Sequence, residues 1–548
     1  MIAVLCRKNQ KPYVEEFFQL FKVAWEFYEE QKNYEVVLVT DAICNPLPQK
    51  NIIFFSTKVT PFDAPYQNEI SSRGEGAFLQ WKHLQFPVYG NNLFFGARSN
   101  TLVSCPQTGD AAGFISEGEG KKVLRIGYDL FDQVEYLLTQ GQPIENALHP
   151  TLEIHISLLR SWMLALGISF IEVPPIPYGH NFFACLTHDV DFLRITDHGL
   201  DHSLAGYLLR TFLPSSLRNA QNKIAWNRLT KNWKALLRLP GVYLGISPDT
   251  WFDLDRFKLL EKGIPSTFFF LPYANEPGRC SDHKAPRDRA GKYDVRENSG
   301  HLKALIRNGH EVGLHGIDAW CDVLNAQRER SVIESITGHR LAGIRMHWLY
   351  FNKDTPIVLE RAGFHYDSSL GYNEIAGFRQ GTTQVFILPG TTALYELPLH
   401  IMDTALFTRG RMNLPEKAAA GLCQDLATAA KAHGGVLTIN WHTRSLSPER
   451  NWDDFYMHLL ELLNKEGALF TGAGKVVDWF ASRRSIRFES VDTTSSRAKI
   501  VLQSPQEIPL CLPPPFARIY KADTKKSPNG CLGSHTDIPL FNARTIEI

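Results

Sequence analysis

Residues 182–192, FFACLTHDVDF, form an apolar run that ends in polar residues, and the pattern of the chain changes at this point. From Phe182 onward, short apolar runs alternate with segments of helical spacing. The other apolar runs are STFFFLPY (266–273), GHEVGLHG (309–316), ALYELPLHIMD (393–403) and GGVLTINWHTR (434–444), and the helical segments are 251–263, 300–309, 352–363 and 415–434. Strands that alternate with helices predict a parallel sheet, and the length of this region favours a closed or nearly closed (β/α) barrel.

The predicted fold class is therefore α/β, in three parts. We expect a barrel over residues 180–482, a smaller α/β domain of unknown role over 1–175, and a partly mobile C-terminal extension over 483–548. In the first part, residues 14–30 have helical spacing, 34–40 and 51–57 read as strands, and 151–167 read as one amphipathic helix that ends at Gly167.

Composition narrows the class of protein. The 548 residues carry 58 Lys+Arg and 57 Asp+Glu, a balance that gives no support to a nucleic-acid binder. The nine cysteines form no CxxC pair, so we expect them to be reduced and structural. The N-terminus has neither a charged n-region nor a long apolar run, so we expect no transmembrane segment and a cytoplasmic location.

An insertion at residues 203–248 follows the first barrel strand. It contains no Asp or Glu but seven Lys and Arg, with Trp226 and Trp233 interleaved. Two interpretations stay open for it: a solvated basic helical face, or a surface for a phosphorylated, lipid-linked or membrane-bound substrate.

The segment GHEVGLHG comes within one residue of the HExxH signature of zinc proteases. His310 and His315 are five residues apart, which separates them by roughly 140° on a helix and places them on opposite faces of a strand. They cannot bind one ion together. Read as a strand, the segment ends at His315, which is the candidate ligand, while His310 is expected to be structural.

Polar residues follow other strands as well. Asp189 and Asp191 share one face of a strand end, where two carboxylates repel each other unless a cation intervenes. A divalent metal would resolve this repulsion, with one Asp as ligand and the other as general base. His442 would suit a general acid, and Arg345 would hold the base carboxylate ionised.

In this order and spacing, these residues resemble the polysaccharide deacetylase family, the NodB-homology carbohydrate esterases, over residues 180–480. Segments 266–273, 362–372 and 393–403 are smaller matches. The arrangement is similar to a bacterial subgroup with an uncharacterised N-terminal domain. The resemblance implies a distorted (β/α) barrel of NodB type that hydrolyses an N-acetyl amide with a metal-bound water as nucleophile.

The resemblance also implies roles for single residues. Asp189 would be the catalytic base, Arg345 would orient it, and His442 would be the general acid. Asp191 and His315 would bind the metal, and Trp441 would lie near the acyl pocket. We expect Asp367, within the match at 362–372, to contact the substrate as well.

One position departs from the family pattern. The second His of the usual HxxxH pair would fall at residue 319, which is Ala319. His347 and Asp318 are both candidates to replace it as metal ligand, and water or weak metal binding are the alternatives. We take His347 as the third ligand and zinc as the metal, because His and carboxylate ligands with open positions suit zinc.

Three functions are compatible with these patterns. The first is a metal-dependent deacetylase acting on an N-acetylated carbohydrate, for example a surface-polysaccharide precursor. The second is a catalytically inactive carbohydrate-binding barrel, which Ala319 would favour. The third, a glycosidase, is disfavoured because no second pair of acids stands out at separate strand ends.

Overall fold

The computed structural model describes residues 1–40, 47–61, 63, 70–96, 98–118, 120–199, 201–212, 222–251, 253–280, 283–492, 497–502, 512–522, 535–540 and 544–547. Parts of the predicted basic insertion, including Arg218, and most of the polar C-terminal tail lie outside these residues. The described chain divides into two compact units. The first comprises residues 1–179, 378–389 and 479–548, and the second comprises 180–377 and 390–478.

The first unit is built on a mixed sheet. Its elements up to residue 172 are β1 Ile2–Leu5, α1 Lys11–Leu20, β2 Trp25–Phe27, β3 Val36–Val39, β4 Asn51–Phe55, β5 Ile70–Trp81, β6 Leu84–Phe95, β7 Thr101–Ser104, β8 Ala111–Gly118, β9 Lys121–Ile126, α2 Leu130–Thr139, α3 Thr151–Ala165 and β10 Phe170–Glu172. The strands of the sheet run in the order β2-β1-β3-β4-β9-β8-β6-β5-β7. The pairings from β2 to β9 are parallel, and those beyond β9 are antiparallel.

The structure corrects one sequence expectation in this unit. The predicted helix over residues 14–30 ends at Leu20, and Trp25–Phe27 form a strand that pairs with β1. The apolar residues of this segment have a helical period only in its first half, where Val14, Phe17 and Phe18 are buried. The strands near 34–40 and 51–57 and the helix near 151–167 are confirmed.

The second unit contains the strands predicted from residue 182 onward. Its elements in chain order are β11 Phe182–Val190, α4 His202–Phe212, α5 Asn222–Tyr243, α6 Leu254–Glu261, β12 Thr267–Phe270, β13 Arg279–Cys280, β14 His283–Lys284, α7 Ser299–Arg307, β15 Glu311–Gly316, α8 Val323–Thr337, β16 Gly343–Met346, α9 Thr355–Ala362, β17 Tyr366–Asp367, β18 Phe386–Ile387 (which belongs to the first unit), β19 Tyr395–Glu396, β20 Ile401–Met402, α10 Asp403–Phe407, α11 Glu416–His433, β21 Val436–Asn440, α12 Asp453–Lys465, β22 Ala468–Thr471 and α13 Ala473–Ser485. α13 crosses from the second unit into the first.

The sheet of the second unit runs in the order β19-β17-β16-β15-β12-β11-β21-β20, with β22 paired to β11. Every one of these pairings is parallel, so the predicted parallel sheet is confirmed. All nine residues of β11 are buried, as expected for a strand covered on both faces. Because the strands are parallel, their C-terminal ends lie at one edge. The closed form of a NodB barrel stays a prediction.

The C-terminal strands group with the first unit. They are β23 Ile486–Asp492, β24 Arg497–Leu502, β25 Phe516–Tyr520, β26 His535–Pro539 and β27 Arg544–Glu547. β25 pairs antiparallel with β10, and a buried cluster joins Ile171 and Val173 to Ile486, Ala517, Ile519 and Leu540. These strands therefore complete a core that begins at residue 171.

Candidate metal and catalytic site

The C-terminal ends of four parallel strands bring the predicted site residues together. Asp189 lies at the end of β11 and Asp191 directly after it, His315 is the penultimate residue of β15, and Arg345 lies in β16. His347 follows β16 directly, and His442 follows β21 two residues after Asn440. This edge is where parallel α/β sheets carry their active sites.

Asp191, His315 and His347 form a group that could hold a metal ion, since one ligand atom from each lies within 4.8 Å of the others. Asp191 Oδ1 is 3.2 Å from His315 Nε2 and 3.4 Å from His347 Nδ1. Asp191 Oδ1 is also buried and accepts no hydrogen bond. A buried carboxylate oxygen without a donor is costly unless a cation compensates it.

The hydrogen bonds of the two His rings assign their tautomers. His315 Nδ1 donates to the carbonyl of Arg345 at 2.9 Å, and His347 Nε2 donates to the carbonyl of Arg289 at 2.9 Å. The other two ring nitrogens, His315 Nε2 and His347 Nδ1, are 2.9 Å apart, and both bear lone pairs when the two rings are neutral. Two lone pairs at this distance repel unless a cation lies beside them, and metal-binding His rings commonly donate their other N–H to a carbonyl.

The chain departs from the HxxxH pattern in a way that the structure explains. Ala319 is fully buried, and Asp318 Oδ1 accepts the backbone N–H of Arg279, so Asp318 is absent from the cluster. His347 lies there instead. Burial lowers the pKa of His347, although the charge of Asp191 opposes the shift, which favours the neutral ring that a metal needs.

Asp189 lies beside this cluster in a cage of donors. Arg345 Nη1 donates to Asp189 Oδ1 at 3.0 Å, and Asn440 Nδ2 donates to Asp189 Oδ2 at 2.7 Å. Burial alone would raise the pKa of Asp189, but the charge that His315 carries when protonated and the charge of Arg345 lower it below its usual value. Asp189 Oδ2 lies 3.8 Å from His315 Nε2, so an ionised carboxylate stands next to the candidate metal position.

His442 is held by a residue that the sequence analysis missed. Asp403, which begins α10 directly after β20, is fully buried and accepts the backbone N–H of His442 at 2.7 Å and its ring Nδ1–H at 2.6 Å. Burial would lower the pKa of His442, but Asp403 raises it to about 9. His442 Nε2 points to the cluster, 3.6 Å from Asp191 Oδ2. The signal for Asp403 was its place at the end of the run ALYELPLHIMD.

Two predicted substrate contacts are buried. Trp441 is 0% exposed and makes stacked ring contacts with Phe455 and Tyr456. Asp367 is also 0% exposed, and its Oδ1 accepts the hydroxyl of Ser369. Neither side chain presents surface to a substrate in this structure, because packing from α12 covers Trp441 and the neighbouring strands cover Asp367. His310 is bonded to Ser266 and lies outside the cluster.

Trp348 is the exposed aromatic side chain of the segment MHWLY. It follows His347 directly and is 37% exposed. Its φ is +61° and that of Leu349 is +55°, both in the left-handed region. Such backbone conformations are costly for residues with large side chains and recur at functional sites.

Arg289 supports the cluster from a segment between β14 and α7. Its side chain is 1% exposed and donates through Nη2 to the carbonyls of Ile317 and His347, both at 2.9 Å. Its own carbonyl accepts from the His347 ring. Arg289 therefore fixes both the backbone and the ring of the candidate ligand that replaces residue 319.

No protein-family model matches the chain. A peptidoglycan deacetylase-like protein of Gibberella zeae is 37% identical over 76 residues, which are 12% of this chain and 22% of that protein. The match thus spans about a fifth of the length of the curated relative.

Three solved structures are similar at low TM-scores. A polysaccharide deacetylase described as putative, from Mycobacterium smegmatis, is 18% identical, covers 57% of this chain and 95% of its own, and has a TM-score of 0.34. A carbohydrate deacetylase is 8% identical over 100% of this chain and 99% of its own, also at 0.34. A CE4 family pseudoenzyme from Bacillus anthracis is 12% identical over 41% and 60%, at 0.25. At these scores the likeness decides neither fold nor activity. The sequence match confirms that this chain is similar to polysaccharide deacetylases, and the bacterial subgroup stays a prediction.

Proposed function

We propose that the protein is a metal-dependent deacetylase that hydrolyses the N-acetyl amide of a carbohydrate. The observation that carries this proposal is the pair of ring nitrogens of His315 and His347, which lie 2.9 Å apart and face a buried carboxylate oxygen of Asp191 that accepts no hydrogen bond. A base candidate and an acid candidate stand at the same strand edge. This combination of ligand set, base and acid is what amide hydrolysis requires.

Asp191, His315 and His347 would hold the metal, and zinc suits two His and one carboxylate with open positions. When bound, a divalent metal would lower the pKa of a water and polarise the amide carbonyl. The residues present fit such an ion because both rings are already oriented by carbonyl acceptors on their other nitrogens.

Asp189 would take the proton of the attacking water. Arg345 and Asn440 keep it ionised and fix its orientation, because each donates to one of its oxygens. Arg345 is itself fixed by Thr187 Oγ1 at 2.8 Å and by the carbonyl of Ser368 at 3.0 Å. A base held in its productive orientation lowers the entropic cost of reaching the reactive geometry.

His442 would give a proton to the departing amine. Asp403 holds its Nδ1–H, so Nε2 is the nitrogen that faces the cluster. The raised pKa keeps the ring protonated near neutral pH, as a general acid must be before the bond breaks.

The substrate class rests on the relative's name and on the resemblance of the motifs. We propose an N-acetylated sugar, for example a surface-polysaccharide precursor reached in the cytoplasm. The roles of Trp441 and Asp367 in substrate binding stay proposals, and they require local opening because both side chains are buried.

Metal content and acetate release together test the proposal. Purified wild-type protein, Asp191→Ala and His347→Ala would be compared by elemental analysis, with His339→Ala as control because His339 is an exposed His in the same unit. We expect about one transition-metal ion per chain in the wild type and in His339→Ala, and loss in the other two. Acetate release from N-acetylglucosamine oligomers should follow the metal content.

The inactive carbohydrate-binding barrel is the alternative outcome. It would show as oligosaccharide binding without acetate release in a metal-loaded wild type. No bound metal after incubation with zinc, cobalt or nickel would contradict the hydrolase proposal itself.

A further inference from the structure

Helices α4 and α5 carry the basic insertion that follows the site strand. Residues 203–248 contain seven Lys and Arg and no Asp or Glu, a local charge of +7, whereas the whole chain has +1. Residues 213–221 lie outside the described part, and so do the side chains of 222–227.

The inner faces of these helices are already packed. Leu204 and Tyr207 of α4 and Val242 of α5 form a buried cluster with Ile195 and Trp251. Leu236 and Leu239 of α5 pack against the same cluster. α5 therefore buries an apolar face against its own unit, and its outer face takes no part in that packing.

The outer face of α5 carries a second apolar stripe. Trp233, Leu237 and Pro240 of α5 and Leu244 directly after it are spaced by four, three and four residues. The N–H of Leu244 donates to the carbonyl of Pro240 at 3.0 Å, so the helical turn continues and the four lie within about 60° of one another around the helix. The exposed fractions of Trp233, Leu237 and Leu244 are 50%, 83% and 73%. A helix that buries one apolar face normally presents polar residues on the opposite face.

Exposed apolar side chains concentrate in this insertion. Of the sixteen large hydrophobic residues that are exposed in the described chain, eight lie between residues 203 and 248: Leu208, Leu209, Phe212, Trp233, Leu237, Tyr243, Leu244 and Ile246. Scattered exposed apolar residues are ordinary, but a concentration of this kind marks an interaction surface.

Cations flank the stripe. Lys234 and Arg238 are exposed and lie about 100° and 140° around the helix from Trp233. Within the described residues neither forms an ion pair, and Lys231 reaches Asp453 and Asp454 only at 3.8 and 3.9 Å. The positive charge beside the stripe is thus available to an anionic partner.

We propose that the outer face of α5, which we call the insertion face (Trp233, Leu237, Pro240 and Leu244 with Lys234 and Arg238), binds the surface of a membrane rich in anionic phospholipid. Arg228 pairs with Glu416 at 2.6 Å, so the cations that count here are Lys234 and Arg238. Exposed Trp and Leu beside such cations are typical of helices that lie in the interface plane of a bilayer. A nucleic acid would match the charge but has no apolar surface to bury the leucines. None of the described helices has the length and apolar character of a membrane span.

Vesicle sedimentation of the full chain tests this inference without any need for catalysis. Wild-type protein would be mixed with vesicles of phosphatidylcholine alone and of equal parts phosphatidylcholine and phosphatidylglycerol. We expect binding to the anionic vesicles that falls with added salt. Leu237→Gln with Leu244→Gln should weaken it about tenfold, because two exposed apolar side chains lose their burial in lipid.

Matched variants distinguish binding through the insertion face from non-specific binding through any exposed apolar residue. Leu259→Gln with Leu324→Gln changes two equally exposed leucines, 77% and 79%, outside the insertion and should leave binding unchanged. Lys234→Gln with Arg238→Gln should weaken binding to anionic vesicles only. Circular dichroism checks that each variant is folded.

Three results would overturn the inference. Absence of binding by folded wild type contradicts it outright. Equal binding to both vesicle types contradicts the anionic surface. A dimer in sedimentation equilibrium without lipid, dissociated by Leu237→Gln with Leu244→Gln, would assign the face to a second copy of the chain instead.

Discussion

Asp403 shows how one buried carboxylate sets the state of a neighbouring His. It is fully buried and its two oxygens accept from the backbone and the ring of His442. The ring of His442 is therefore held in one orientation with a hydrogen on Nδ1, and its pKa is raised. An amide at this position would keep the shape and remove the charge.

Asp403→Asn is therefore expected to lower kcat for acetate release by about 10²–10⁴-fold, the range of a general-acid contribution. KM and metal content should change little, since Asp403 is not in the metal cluster. Asp288→Asn, at an exposed Asp of the same unit, is the control. Steady-state kinetics would contradict the role of Asp403 if kcat stayed within a factor of two of wild type.

Asp367 and Glu396 form a second buried carboxyl pair, on neighbouring strands in direct register. Both are 0% exposed, and Asp367 Oδ2 and Glu396 Oε2 are buried without a hydrogen-bond donor. Burial raises the pKa of Asp367 to about 6 and that of Glu396 further above its usual value. Two like charges cannot both ionise here, so the folded protein holds a proton that the unfolded chain releases near pH 4.

The contribution of this pair to the free energy of unfolding should consequently be fully present below about pH 4. It should be lost as pH rises through about 6. Glu396→Gln keeps a donor for Asp367 and should flatten this dependence, by roughly 1–3 kcal/mol at about 1.4 kcal/mol per pKa unit. Thermal unfolding from pH 5 to 8 measures it, with Glu297→Gln as an exposed control. Parallel profiles for wild type and Glu396→Gln would rule out a shared proton.

At the scale of elements, the short helical turn at residues 347–349 depends on the segment that holds Arg289. The chain leaves β16 with Trp348 and Leu349 in the left-handed region, a conformation that needs outside support. Arg289 supplies part of that support through the carbonyl of His347. The element that carries the third candidate ligand is thus held by a segment 58 residues earlier in the chain.

Arg289→Ala should weaken metal binding by about 10–100-fold, as loss of a group that orients a ligand usually does. Arg287→Ala, two residues away and exposed, is the matched control. Competition with a chromogenic chelator measures the affinity. Because Arg289 is buried, Arg289→Lys is needed as a second variant. A lowered unfolding temperature with unchanged metal affinity in this variant would mean that Arg289 serves the fold alone.

At the scale of the whole molecule, the first unit is discontinuous in sequence. Its core cluster includes Ile171 and Val173 together with residues beyond 485, and β10 pairs with β25. The pattern of the sequence suggested an extension from residue 483. In the structure, residues beyond 485 pack against Ile171 and Val173, which lie more than 300 residues earlier in the chain.

A chain that ends at residue 482 is therefore expected to lose solubility, because it exposes the cluster around Ile171 and leaves β10 without its partner. Soluble yield and unfolding temperature, compared with those of the full chain, test this. A truncated chain as soluble and stable as the full one would show that residues 483–548 are dispensable.

The sequence by itself determined the alternation of strands and helices in the second unit, because apolar periodicity depends only on neighbouring residues. It also determined which side chains end the strands, since Asp189, Asp191, His315 and Arg345 follow apolar runs directly. Only the tertiary structure decided between His347 and Asp318 beside the cluster, brought Asp403 to His442, buried Trp441 and Asp367, and joined the C-terminal strands to the first unit. Each of these depends on contacts between residues distant in the chain, which no local pattern records.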